Sequence, residues 1–169
     1  MIRRRRAGFT LLELIVVMAL MGIVFFFAVP RFEGTFLFDD AKQSARWLIG
    51  KLQSLREEAL RTRHLHILVF DLDTKRVWHT TESMTLEEIE LAMRRAQAIP
   101  GGARVVAVEF PPETRITSGR AEIRFYGDGH SDKALIHLQH GEAYSSFVLE
   151  PFLTQVKMYD YLVGFNDLR

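Results

Sequence analysis

FTLLELIVVMALMGIVFFFAV, residues 9–29, is the stretch on which the reading of this chain turns. Only Thr10 and Glu13 carry polar side chains in it. As a helix it is about 31 Å long, close to the hydrocarbon thickness of a bilayer. Four arginines, Arg3 to Arg6, stand just before it. Basic residues flanking an apolar helix stay on the cytoplasmic side, so the chain after Pro30 is expected across the membrane. An ordinary secretory signal has a shorter apolar core followed by a small-residue cleavage site. Here the run is long and continues as FFFAVPRFEG, a poor match.

Glu13 argues against a plain single-pass anchor as well. A carboxylate within a membrane costs a few kcal/mol, so such residues usually have a partner and a role. Glu13 lies about 6 Å along the helix from Phe9. A cut between Gly8 and Phe9 would create an α-amino group there, largely protonated at neutral pH. Among parallel helices, Glu13 of one subunit would pair with the amine of its neighbour. That pairing offsets desolvation and fixes the axial register. Gly22 and Pro30 are expected to loosen the helix, since glycine has poor helix propensity and proline removes a backbone donor. A simple kink at the membrane edge is the other reading of Pro30.

The chain has 169 residues, enough for one membrane segment and one modest domain. Its 22 basic and 21 acidic residues give a net charge of +1, which does not argue for nucleic acid. Loss of the first eight residues would leave 18 basic against 21 acidic residues, a net charge of −3. No cysteine is present, which excludes disulfides, cysteine-ligated zinc and thiol nucleophiles.

Residues 39–62 read as a helical stretch. Ala41, Ala45, Leu48, Leu52, Leu55 and Ala59 form one apolar stripe expected to pack on a sheet. Asp39 or Asp40 is the expected cap of its start. Gly34 leaves two possibilities, one bent helix or two segments. The period then changes to two. Residues 65–72 and 75–80 read as a hairpin across Asp73 and Thr74. Residues 85–99 return to helical spacing, with Thr85 and Glu88 in capping-box relation. Strands are expected over 103–110, ending at Pro111-Pro112, and from Ala121, Ala134 and Tyr144 onward; the tail 155–165 is also β-prone.

The short basic leader, then Gly8, Phe9, Thr10, Leu11, Leu12 and Glu13, then the apolar run, resemble the class III signal of type IV pilins and type II secretion pseudopilins. The resemblance implies cleavage between Gly8 and Phe9 by a prepilin peptidase, methylation of the Phe9 amine, and Glu13 as the register-setting acid. Gly22 and Pro30 match family positions where the helix loosens within the filament. ARWLIGKLQSLREEAL (45–60) and IRFYGDGHSDKALIHL (123–138) look like the H-type minor pseudopilin. In that family a phrase F-x-x-D-G lies between two strands of the second sheet, as Phe125, Asp128 and Gly129 are expected to do here. A major pseudopilin usually carries a calcium loop near its C-terminus. Only Asp160 and Asp167 stand there, which favours a minor subunit.

The expected fold is α+β and pilin-like: a long N-terminal hydrophobic helix packed on a β-rich globular domain of two antiparallel sheets. The expected layout is a leader over 1–8, a transmembrane and filament-core helix over 9–30, its amphipathic continuation over 31–63, and a periplasmic β-rich domain over 64–169. The implied partners are the prepilin peptidase, the major pseudopilin, other minor pseudopilins and the bacterial inner membrane. The implied function is export of folded proteins by a short periplasmic filament. A minor pilin of a type IV pilus, acting in priming or DNA uptake, is the alternative, and a membrane-anchored ligand-binding module is a second.

Nothing in the sequence calls for catalysis, a cofactor or a small-molecule substrate. No metalloprotease, nucleophile-elbow or phosphate-loop motif is present. His64 and His66 have the spacing of one strand face, and His130, His137 and His140 lie near a later hairpin; surface strand positions explain them without a metal. Asp128, Ser131 and Asp132 fit a turn better than a cation site. Arg94, Arg95, Arg104, Arg115, Arg120 and Arg124 are interspersed with Glu87, Glu88, Glu109, Glu113 and Glu122. A mixed solvated surface is expected there in place of a nucleic-acid site, whose binding would fall steeply with salt.

Overall fold

The computed structural model describes residues 11–112, 114–153 and 155–168, with side chains for 11–24 and from 40 onward. Helix α1 spans Leu11–Thr62. It is one helical element through Gly22, Pro30 and Gly34, which decides between the two possibilities the sequence left open. Asp39 and Asp40 lie inside α1, so they cap nothing. A helix end needs a cap only where its first amides lose their partners, and no end occurs there.

By contacts the chain divides into two compact units, Met1–Asp39 and Asp40–Arg169. In the first unit, every large apolar side chain described from Leu11 to Val24 is exposed, between 41% and 79%. Among the described residues of this unit, those side chains pack into no core.

The second unit is an α+β fold of two antiparallel sheets. Strands β1 (His66–Asp71), β2 (Arg76–Thr81) and β5 (Arg120–Phe125) form a three-stranded sheet in the order β2-β1-β5. Strands β3 (Arg104–Phe110), β4 (Thr114–Ile116), β6 (Ala134–His140), β7 (Ala143–Leu149) and β8 (Lys157–Tyr159) form a five-stranded sheet in the order β4-β3-β6-β7-β8. The expected apolar stripe of α1 is buried: Ala45, Leu48, Leu52, Leu55 and Ala59 share one core with Leu68 and Phe70 of the first sheet and with Ile136 and Phe147 of the second. The stripe recurs at three and four residues, so it faces one direction and can cover both sheets.

Helix α2 (Leu86–Arg94) starts at the expected capping box: Thr85 Oγ1 accepts from the Glu88 amide and the Glu88 side chain accepts from the Thr85 amide. It is shorter than residues 85–99. Past Arg95 the chain turns extended, and Gln97 bonds to Val77 of β2 in both directions. Edge pairing takes over because residues 96–99 put Ala96 and Ile99 into the interior. Three other readings change. Strand β4 follows Pro111-Pro112 where none was expected. The tail is strand only over Lys157–Tyr159 and ends in a short 3-10 helix, Phe165–Leu168. Phe125, Asp128 and Gly129 do not join two strands of one sheet; Phe125 ends β5 of the first sheet and the chain then enters β6 of the second. Alternation marks strands but says nothing about which sheet each joins.

Candidate functional site

Glu13 lies in the first turn of α1 and is exposed, amid the exposed apolar side chains of that segment. Gly8 and Phe9, the expected cleavage site, and Arg3 to Arg6 lie outside the described residues. Gly22 is helical with open space around its α-carbon, and Pro30 is also within α1. Large apolar side chains gathered on a surface mark contact with lipid or protein. Among the described residues no helix is long and apolar enough to cross a membrane. The sequence window 9–29 starts and ends beyond the residues whose side chains are described.

In the globular unit the buried polar groups have other roles. Arg56, on α1, is buried and its guanidinium loses some of its proton affinity to that burial. Its Nη2 donates to Ser131 Oγ at 2.6 Å, to the Glu150 carbonyl at 2.8 Å and to the Pro151 carbonyl at 3.2 Å, while Nη1 donates to the Leu153 carbonyl. One side chain of α1 thereby fixes the turn after β5 and the segment after β7. In the sequence Arg56 is one of several charged residues lying mainly outside the apolar stripe of α1. Its position beside the apolar stripe, one residue after Leu55, was the only available signal.

Ser146, His137 and Glu109 form a second buried chain. Ser146 Oγ lies 3.0 Å from His137 Nδ1, and His137 Nε2 lies 3.1 Å from Glu109 Oε1. The order serine, histidine, carboxylate is that of a hydrolytic triad. Its wiring is not. Ser146 is fully buried, donates its one hydroxyl proton to the Tyr161 carbonyl at 2.8 Å, and accepts from the Val163 amide at 3.2 Å. A hydroxyl committed in this way is a clamp for the tail after β8. Burial pushes the His137 imidazole below its ordinary value, and Glu109 partly opposes this.

The structure separates the paired histidines of the sequence. His64 precedes β1 and its Nδ1 lies 3.3 Å from Glu82 Oε1, whereas His66 opens β1 and is buried. His66 Nε2 meets Thr62 Oγ1 at 3.1 Å, and its Nδ1 is buried with no hydrogen-bond partner among the described residues. His66 stacks on His79 at 6.5 Å. Among the described residues no three side chains of metal-binding type gather at one point. His130 stacks on Tyr126 at 4.2 Å and its ring bonds Asp128, whose Oδ1 also accepts from the His130 amide at 3.2 Å. Asp128 thus serves the turn. Arg115, Arg120 and Arg124 pair with Glu109, Asp71 and Glu122, and Arg104 donates to Gln139 at 2.8 Å. Four of the six arginines considered for a basic patch are therefore engaged.

The comparison with protein families bears on the first unit. Residues 3–29 match the prokaryotic N-terminal methylation motif. This is the prepilin signal of type IV pilin-like proteins, and it spans Gly8, Phe9, Glu13 and Gly22. A signal of this kind implies processing by a prepilin peptidase, anchoring in a membrane through the N-terminal helix, and assembly with other pilin-like subunits. No curated protein and no solved structure matches the chain.

Proposed function

We propose that the chain is a minor pseudopilin of a type II secretion system, H-like, placed near the tip of a periplasmic filament that helps export folded proteins. The observation that carries this reading is the methylation motif over residues 3–29 joined to a helix whose apolar side chains stand exposed around Glu13. The α+β unit of two antiparallel sheets behind that helix supports it. In this reading the mature protein works by assembly, without bond chemistry. The globular unit faces the periplasm from the inner membrane, and the partners are the major pseudopilin and the other minor subunits. The commitment of the Ser146 hydroxyl to the tail supports a non-enzymatic role.

Two measurements test the reading. Intact mass spectrometry of the membrane-derived chain is expected to show a start at N-methylated Phe9 only when prepilin peptidase is present. Replacement Glu13→Ala is expected to abolish incorporation into filaments at unchanged protein level; normal incorporation would sink the register role. Deletion of the gene is expected to stop secretion through the outer membrane. Intact secretion with lost piliation or DNA uptake would assign the chain to a type IV pilus.

A further inference from the structure

A groove of about 450 Å³ opens in the globular unit between α1, the outer edge of β2 and α2. Both tryptophans of the chain, Trp47 and Trp78, line it, together with Lys51, His79, Glu88 and Arg95. Strand β2 is the end strand of its sheet. Backbone groups of an antiparallel strand point alternately toward and away from each neighbour. Val77 exchanges bonds with Gln97 at 2.8 and 3.0 Å, so its peptide groups face outward, and those of His79 and Thr81 share that direction. The Thr81 carbonyl accepts from the Met84 amide at 3.1 Å. The His79 position stands between these two pairings, on the groove. Gln97 takes up the edge at Val77 and Met84 takes it up at Thr81, so the stretch left for another chain is the His79 position between them.

The charges in the groove do not cancel. The Glu88 carboxylate accepts from the Thr85 amide and hydroxyl at 2.8 and 3.1 Å, which favours its ionised form, so the lining sets two cations, Lys51 and Arg95, against one carboxylate. Neither the Lys51 ammonium nor the Arg95 guanidinium belongs to any ion pair among the described residues. Burial pushes the His79 imidazole below its ordinary value, and the Lys51 ammonium nearby adds to this. Two cations beside two indoles attract an anion attached to apolar groups.

We infer that this groove binds an extended acidic segment of another protein chain, with a carboxylate drawn to Lys51 and Arg95, backbone laid against the β2 edge at His79, and apolar side chains on Trp47 and Trp78. Backbone hydrogen bonds would hold the segment, and the pockets beside them would select its side chains. This inference is independent of the secretion reading.

Because the chain has only these two tryptophans, its intrinsic emission reports the groove. Full-length protein in detergent micelles would be titrated with an end-blocked Val-Glu-Val-Glu-Val peptide and with its lysine counterpart. The acidic peptide is expected to give a saturable change and to bind about tenfold more tightly or better than the lysine peptide, an advantage that shrinks with added salt. Lys51→Glu and Arg95→Glu are each expected to weaken it by about tenfold at unchanged thermal midpoint. Lys157→Glu, on β8, is expected to leave it unaltered. The inference is overturned if millimolar acidic peptide gives no saturable change, if both peptides bind alike, or if the reversed charges bind as well. It is overturned also if free glutarate matches the peptide, since the site would then take small dicarboxylates.

Discussion

Arg56 Nη2 donates to Ser131 Oγ at 2.6 Å and so joins α1 to the turn that connects the two sheets. The same guanidinium takes up the carbonyls of Glu150, Pro151 and Leu153. Hydrogen bonds from a charged donor are stronger than neutral ones, and their loss leaves buried acceptors unpaired. Arg56→Met is expected to lower stability by about 2–4 kcal/mol in chemical denaturation. Arg56→Lys should lose less, since an ammonium keeps the charge without the planar fork. A methionine variant as stable as the parent would show that the carbonyls find water instead.

The tail hangs on Ser146. Its Oγ accepts from the Val163 amide and donates to the Tyr161 carbonyl, and Val163 packs on Leu135 and Val148. Ser146→Ala removes both bonds, together with the contact to His137 Nδ1, and should cost about 1–3 kcal/mol. Hydrogen exchange at the Val163 amide should quicken far more than at the amides of β6. Uniform acceleration across both would mean that the clamp is not local.

Three histidines with lowered proton affinity should weaken the fold in mild acid. Burial is the leading cause of the downward shift at His66, His79 and His137. A group that prefers its neutral form when folded binds more protons when unfolded, so stability rises with pH. The contribution is complete above the unfolded value of about 6.5 and is lost as pH falls below it. Denaturation midpoints should therefore decline from pH 7 to pH 5. His66→Gln should flatten that decline, and an unchanged slope would remove His66 from the account.

Gly101 sits at φ +76°, and a Cβ there would meet the Asp40 carbonyl and lie 2.6 Å from Ser44 Oγ. Ser44 Oγ itself donates to the Pro100 carbonyl at 2.6 Å, which binds this turn to α1. Gly102 is also left-handed, at φ +74°, but faces open space. Gly102→Ala should cost about 1 kcal/mol for the backbone alone. Gly101→Ala should cost more, about 2–3 kcal/mol, because backbone must move as well. Equal losses would mean that the close approach is relieved without effort.

The apolar run, the Arg3–Arg6 cluster and Glu13 were legible from residue order alone, because a prepilin signal is a local device read from an extended chain. The period-two strands and the α1 stripe were legible too, since each depends on spacing along one element. The Thr85–Glu88 cap was equally local.

The sequence by itself therefore determined most of the elements, the class of fold and the N-terminal signal. Tertiary structure decided which sheet each strand joins, that Phe125 and Asp128 lie on a passage between sheets, and that Arg56 is an internal anchor. It also decided that Ser146, His137 and Glu109 meet, and that both tryptophans share one groove. The physical reason is range. Helix period, strand alternation and caps act over a few residues, whereas Arg56 meets Ser131 across 75 positions and His137 meets Glu109 across 28. Such partners are chosen by packing, once the α1 stripe has closed over both sheets.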